Sequence, residues 1–267
     1  MAIGFIGCGN MATAIISGIL NSNTLSPEEI YVYDVYQPAM DKLKSAYGIQ
    51  PLGSEKEIVV NCDTVVLAVK PNVLSSVLGK INNVLSESDT LLISIAAGKT
   101  LEFIRNSLSH ANRIIRVMPN INAVVGEAIC AYTANADATE ADKQLCEGIF
   151  GSVGQVIYLD EGQFPIFGVL GGSAPAFAYL FIDALARGGV KNGMKKDAAL
   201  MIAAQTVLGS AKMILDSSSN DHPWELIDRV CSPGGTTIEG IASLEADGFE
   251  TAVMNAVDKT LEKDSKL

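Results

Sequence analysis

The chain has 267 residues, enough to bury one or two cores, and two is the better fit because its pattern changes midway. A net charge of −11, 18% charged residues and no basic run longer than Lys195-Lys196 argue against a nucleic-acid surface. The five cysteines (Cys8, Cys62, Cys130, Cys146 and Cys231) lack C-x-x-C spacing, so neither a metal site nor a disulfide framework is expected, and a reducing cytoplasm suits them.

The first element is a short apolar strand running into Gly7-Cys8-Gly9-Asn10-Met11-Ala12 and then an apolar-periodic helix over 12–20. Those glycines and Asn10 interrupt the segment, and no basic leader precedes it, so it does not read as a signal peptide. It reads as a dinucleotide fingerprint. Gly7 makes the tight turn, Gly9 lets the backbone approach a pyrophosphate, and Ala12 is the small residue where helix packs on strand. A second strand, 30–33, ends in Asp34, placed to accept from ribose hydroxyls and to repel a 2′-phosphate. No arginine occurs before Arg105, so NADH use is favoured.

Strand patterns continue at 63–69, 90–96, 113–118, 128–133 and 155–159, with helical patterns such as 73–85 and 139–149 between them. This alternation predicts a doubly wound α/β sheet over 1–160. Ligands bind beyond the carboxyl ends of such strands, so Ala68-Val69-Lys70-Pro71, Ala96-Ala97-Gly98 and Met118-Pro119-Asn120 are expected to line one crevice. Ordinary strand-ending turns are the alternative for each.

After 160 the strand patterns stop, and 161–267 reads as an all-helical domain with helices over 174–187, 197–215, 223–230, 236–244 and 248–263. The uncharged stretch 164–182 could be mistaken for a membrane span. Its Pro165, Gly168, Gly171, Gly172 and Pro175 are expected to break a continuous helix, so no membrane association is predicted. Helices that are apolar on more than one side predict a homodimer. Just before the helix at 236, Ser232-Pro233-Gly234-Gly235-Thr236-Thr237 forms a glycine-softened helix start suited to a carboxylate or phosphate, unless Ser232 or Thr237 simply caps the helix. His110 and His222 lie in no site-like motif.

The motifs G-x-G-x-M-A at 7–12, A-V-K-P at 68–71, R-V-M-P-N at 116–120, A-A-Q-T-V-L-G-x-A-K-M at 203–213 and R-V-x-S-P-G-G-T-T-I at 229–238 resemble the Δ1-pyrroline-5-carboxylate reductase family along the whole chain. The resemblance implies NAD(P)H-dependent reduction of a cyclic imino acid, the last step of proline biosynthesis. By this resemblance Gly234, Gly235 and Thr236, with Ser232, hold the substrate carboxylate. Thr237 hydrogen-bonds the ring nitrogen, and Glu161 lies where it could meet that nitrogen, a solvated loop glutamate being the alternative. The resemblance also adds a ring of dimers to the expected assembly. Ile121-Asn122 and Ala174 depart from the usual T-P and G of the family. Two other functions remain open: reduction of a different cyclic imino acid, and a dinucleotide-binding sensor without turnover.

Overall fold

The structure, a computed structural model, describes residues 1–216 and 221–265. It divides into two compact units, Met1–Gly172 and Ser173–Leu267. The first is built on eight strands: β1 (Ile3–Ile6), β2 (Ile30–Tyr33), β3 (Gln50–Pro51), β4 (Thr64–Leu67), β5 (Leu91–Ser94), β6 (Ile114–Met118), β7 (Ala128–Ala134) and β8 (Gly154–Tyr158). Their order is 3-2-1-4-5-6-7-8. Strands β1 to β6 pair in parallel, β7 runs antiparallel to β6, and β8 is parallel to β7.

Alternation along the strands feeds two separate apolar layers. Ile3, Phe5, Val66, Ile93 and Ile115 face one layer, closed by helices α1 (Asn10–Asn21) and α2 (Gln37–Tyr47) and by α6 (Glu140–Gly151) further along the chain. Ile6, Val65, Leu67, Leu92 and Ile114 face the other, closed by α3 (Glu55–Asn61), α4 (Leu74–Leu85) and α5 (Leu101–Asn106). With both faces covered, the strands carry the near-continuous apolar runs read from the sequence. The two-residue strand β3 was too short to leave a period-2 pattern and was not predicted.

The expected break over 164–182 does not occur. Helix α7 (Phe164–Phe167) passes through a π-helical segment, Gly168–Ser173, into α8 (Ala174–Lys191). Pro165 stands in the first two positions of α7, where a missing N–H costs little, and the Gly171 carbonyl four residues before Pro175 accepts instead from the Asn120 side chain at 2.9 Å. The glycine-rich 168–173 segment takes up the wider i→i+5 turns between them.

In the second unit, α8 packs on α9 (Lys196–Leu215) through small residues. Ala186, Ala199 and Ala203 are its buried apolar side chains among the described residues. Helices α10 (Pro223–Val230), α11 (Thr236–Ala246) and α12 (Phe249–Asp264) complete it, with Phe249 set against Phe181 at 5.8 Å between ring centres. Large apolar side chains stay exposed along α8 and α9, including Leu180 (71%) and Met201 (68%). Two helical stretches, Glu161–Lys191 and Lys196–Leu215, are long and apolar enough to cross a membrane.

Candidate active site

The turn between β1 and α1 is fixed by its own backbone and by the strands beside it. Gly7 has φ +104°, and its amide continues the ladder by donating to the Tyr33 carbonyl at 2.8 Å. A Cβ there would lie 2.5 Å from the Ala68 carbonyl oxygen, so both the dihedral and the space require glycine. Gly9 is the N-cap of α1 without a side-chain cap, and a Cβ on it would meet nothing within 4 Å. The first amides of α1 therefore face open space at the positive end of a 12-residue helix, which fits a pyrophosphate. Ala12 is buried against the sheet, as its place in the fingerprint required.

Asp34 reaches across to this turn. One carboxylate oxygen accepts from the Cys8 amide at 2.7 Å and the other from the Tyr36 amide at 2.8 Å. The acidic side chain at the end of β2 thus braces the glycine turn, a role beyond the ribose contact expected of it. That second role had no sequence signal, because it depends on two segments 26 residues apart. The Cys8 thiol is buried, and burial followed by the Asp34 charge pushes its pKa up to about 12. Its backbone N–H, not its sulfur, serves the site.

The other strand ends gather along the same edge of the sheet. Ala68 joins β1 through its amide to the Ile6 carbonyl, and the Ile95 amide donates to Leu67. Lys70 is exposed, and its carbonyl accepts from Val73 to turn the chain past Pro71 into α4. Ala96 is buried while Ala97 and Gly98 are exposed, Gly98 at φ +70°. Asn120, expected to line the crevice, has its side chain engaged with backbone. It is buried, donates to the Gly171 carbonyl at 2.9 Å, and accepts from the Ile129 amide at 3.3 Å. Its amide joins the β6–β7 connection to the π-helical segment, so what it offers the crevice is a fixed backbone. The 3-10 turn that follows, Ile121–Val125, carries the departing Ile121 and Asn122, with Ile121 exposed.

Glu161 is more constrained than a loop glutamate. Its Oε1 accepts from Arg116 Nη1 and from the Leu101 amide, both at 2.8 Å. The sequence shows Arg116 only as part of the R-V-M-P-N motif. A lone arginine inside the apolar strand sequence Ile-Ile-Arg-Val-Met was the available signal that a buried partner had to exist.

In the second unit, the 232–237 segment is a β-turn closed by the Gly235 amide on the Ser232 carbonyl at 2.9 Å, with Pro233 second and Gly234 third at φ +67°. Positive φ at the third position is what a type II turn demands of glycine. Gly235 is the N-cap of α11 and no side chain caps it, so the capping role open to Ser232 or Thr237 is not used. Thr236 and Thr237 occupy the first two helical positions with exposed side chains, beside amides that have no helical partner. His222 caps α10 by accepting from the Trp224 amide at 3.3 Å, a structural task.

A preformed dinucleotide turn, an acidic residue closing β2 and a crevice where strand order reverses between β1 and β4 define a nicotinamide-dinucleotide-dependent oxidoreductase of the Rossmann type. Residues 2–98 match the family described as NADP oxidoreductase coenzyme F420-dependent, and residues 161–267 match pyrroline-5-carboxylate reductase dimerisation. The pyrroline-5-carboxylate reductase of Methanosarcina acetivorans is 43% identical, the match covering 99% of this chain and 97% of that protein. Its Escherichia coli counterpart is 41% identical with the same coverage. Among solved structures, the enzyme from Coxiella burnetii superposes with a TM-score of 0.93 at 34% identity, covering 99% of this chain and 97% of that one. The Plasmodium falciparum enzyme, solved with NADP bound, gives 0.85 at 34% identity and the same coverage. The chain belongs to the pyrroline-5-carboxylate reductase family.

Proposed function

We infer that the protein reduces 1-pyrroline-5-carboxylate to L-proline with NAD(P)H, closing proline biosynthesis. The observation that carries this reading is the full-length family match, in which the ligand-ready Gly7–Ala12 turn and the free helix start at 232–237 both survive. The nicotinamide, when bound, would supply the hydride for the imine carbon, and a proton from solvent would complete the amine at the ring nitrogen. The protein's contribution is position and charge. The amides of Gly234, Gly235 and Thr236, with Ser232 closing the turn, hold the substrate carboxylate. Thr237 hydrogen-bonds the ring nitrogen, where its hydroxyl stabilises the changing charge. Gly7, Cys8, Gly9, Asn10, Met11 and Ala12 would hold the cofactor pyrophosphate, and Ala68-Val69-Lys70-Pro71, Ala96-Ala97-Gly98 and the backbone of Asn120 would line the rest of its crevice.

Asp34 makes NADH at least as good a donor as NADPH, because a carboxylate at the ribose repels a 2′-phosphate. The helical region from 161 onward forms a homodimer, and dimers assemble further into a ring. Support comes from the dimerisation match over 161–267 and from exposed apolar side chains such as Leu180 and Met201. We assign those helices to subunit contact rather than to a bilayer, and the protein to the cytoplasm, which suits five unpaired cysteines, four of them buried. Purified protein oxidising NADH or NADPH with pyrroline-5-carboxylate tests the reading. Turnover only with a six-membered cyclic imine would move it to another imino acid, and cofactor binding without turnover would make it a sensor.

A further inference from the structure

Arg116 lies within β6 on the same face as Ile114 and Met118, and it is 6% exposed. A guanidinium in that position costs stability unless it is paired. Two contacts compensate it: the ion pair to Glu161 at 2.8 Å, and the ring of Phe164, whose centroid lies 4.3 Å from the guanidinium carbon. The same oxygen of Glu161 takes the Leu101 amide in the first turn of α5. Helix α5 begins at Leu101, with Lys99 and Thr100 between it and Ala96-Ala97-Gly98, and Thr100 fixes its start by accepting from the Phe103 amide at 3.0 Å. The loop beyond β5 is therefore held at one end by the sheet and at the other by the Arg116–Glu161 pair.

The position of that loop gives the clasp a consequence. Asp34 at the end of β2 marks the ribose on one side of the pyrophosphate turn, so the nicotinamide half must extend the other way, over β4 and β5. The exposed Ala97 and Gly98 then border the reacting ring. We propose that Arg116 and Glu161 are positioning residues, a clasp between a buried guanidinium and a half-buried carboxylate that sets the Ala96-Ala97-Gly98 loop against the nicotinamide, and that Glu161 acts through Arg116 and the Leu101 amide without touching the substrate nitrogen. This rests on the reductase reading above and replaces the substrate contact that the family resemblance implied for Glu161.

A double-mutant cycle tests the clasp. Glu161→Ala and Arg116→Met should each lower kcat by about tenfold with the KM for the imine within about twofold of wild type, because orientation and not imine binding is lost. The double variant should be no worse than the poorer single one. Glu161→Gln keeps an acceptor oxygen for both donors and should recover most of the activity. If the imine KM rises in the Glu161 variants alone, or the two effects add, Glu161 contacts substrate and the proposal fails. A fall in melting temperature with unchanged kcat likewise overturns it. Wild-type turnover decides the reductase reading separately. Should that reading fail, the emission of bound NADH still reports on the nicotinamide and should differ between wild type and Glu161→Ala, equality being the refuting result.

Discussion

The two halves of the molecule each place a glycine turn at a helix start, yet they support it in opposite ways. The turn at 7–12 is wedged between β1 and β4, braced by Asp34 and backed by two apolar layers. The turn at 232–237 closes on itself, stands exposed, and belongs to a unit whose described residues bury only small apolar side chains, three alanines. One local device thus becomes a rigid cradle when a sheet surrounds it. Elsewhere it remains a self-contained loop, in the unit for which association is proposed.

The largest effect should come from removing that association. In solution the mass should be at least twice that of one chain at micromolar concentration, and a stable, active monomer by light scattering would erase the contrast between the halves. Next, the two turns should respond unequally to the same substitution. Gly7→Ala meets both a positive φ and the Ala68 carbonyl, and should weaken NADH binding by roughly a hundredfold or more. Gly234→Ala meets only a positive φ in open space, and should cost about 1–2 kcal/mol with cofactor affinity unchanged. Equal losses in a fluorescence titration would show that the first turn is no better supported than the second.

Thr237 comes after these. Because Gly235 is the N-cap and no side-chain cap bond exists, Thr237→Ala should leave the melting temperature nearly unchanged. It should lower kcat/KM by about ten- to hundredfold, equivalent to about 1–3 kcal/mol of transition-state stabilisation, and Thr237→Ser should restore most of it. An alanine variant that melts earlier but turns over normally would return the hydroxyl to a structural role. A smaller change is expected at Asp34. Asp34→Asn keeps an acceptor for one of the two braced amides while removing the charge, so the kcat/KM ratio of NADPH to NADH should rise about threefold to tenfold. No change in that ratio would leave bracing as the residue's whole function.

The smallest effect concerns the sheet half alone. Burial opposes ionisation of Asp142, but hydrogen bonds from the Thr139 amide and hydroxyl and the ion pair with Arg113 outweigh it, so its pKa is lowered. A carboxyl with a lowered folded-state pKa adds stability above its unfolded value of about 3.9, and that stability is lost as pH falls through the folded value. Asp142→Asn should therefore cost about 1–2 kcal/mol at neutral pH and flatten the acid limb of the stability curve below about pH 4. Denaturant melts across pH would reveal an unchanged limb if the residue were a spectator.

Legibility differed in the same way between the halves. The fingerprint at 7–12, the apolar strand runs and the 3.6-residue periodicity of the later helices are local patterns, so strand–helix alternation and the change near 160 could be read directly. The parallel pairing of β1 to β6, the reversal at β7 and the short β3 depend on which strands meet, which no local pattern records. Prolines at 165 and 175 suggested a broken helix because composition does not reveal that the first falls at a helix start, or that a π-helical segment and the Asn120 side chain accommodate the second.

For the site, the sequence by itself determined the residue types that chemistry needs at fixed spacing: glycines where φ must be positive, an acid after β2, and threonines at a helix start. Only the tertiary structure decided that Asp34 is shared with the Cys8 amide, that Asn120 is spent on Gly171, and that Glu161 is bound to Arg116 and Leu101. Each of those bonds joins segments between 26 and 60 residues apart, and a partner at that separation is chosen by the packing of the sheet, not by anything written beside the residue itself.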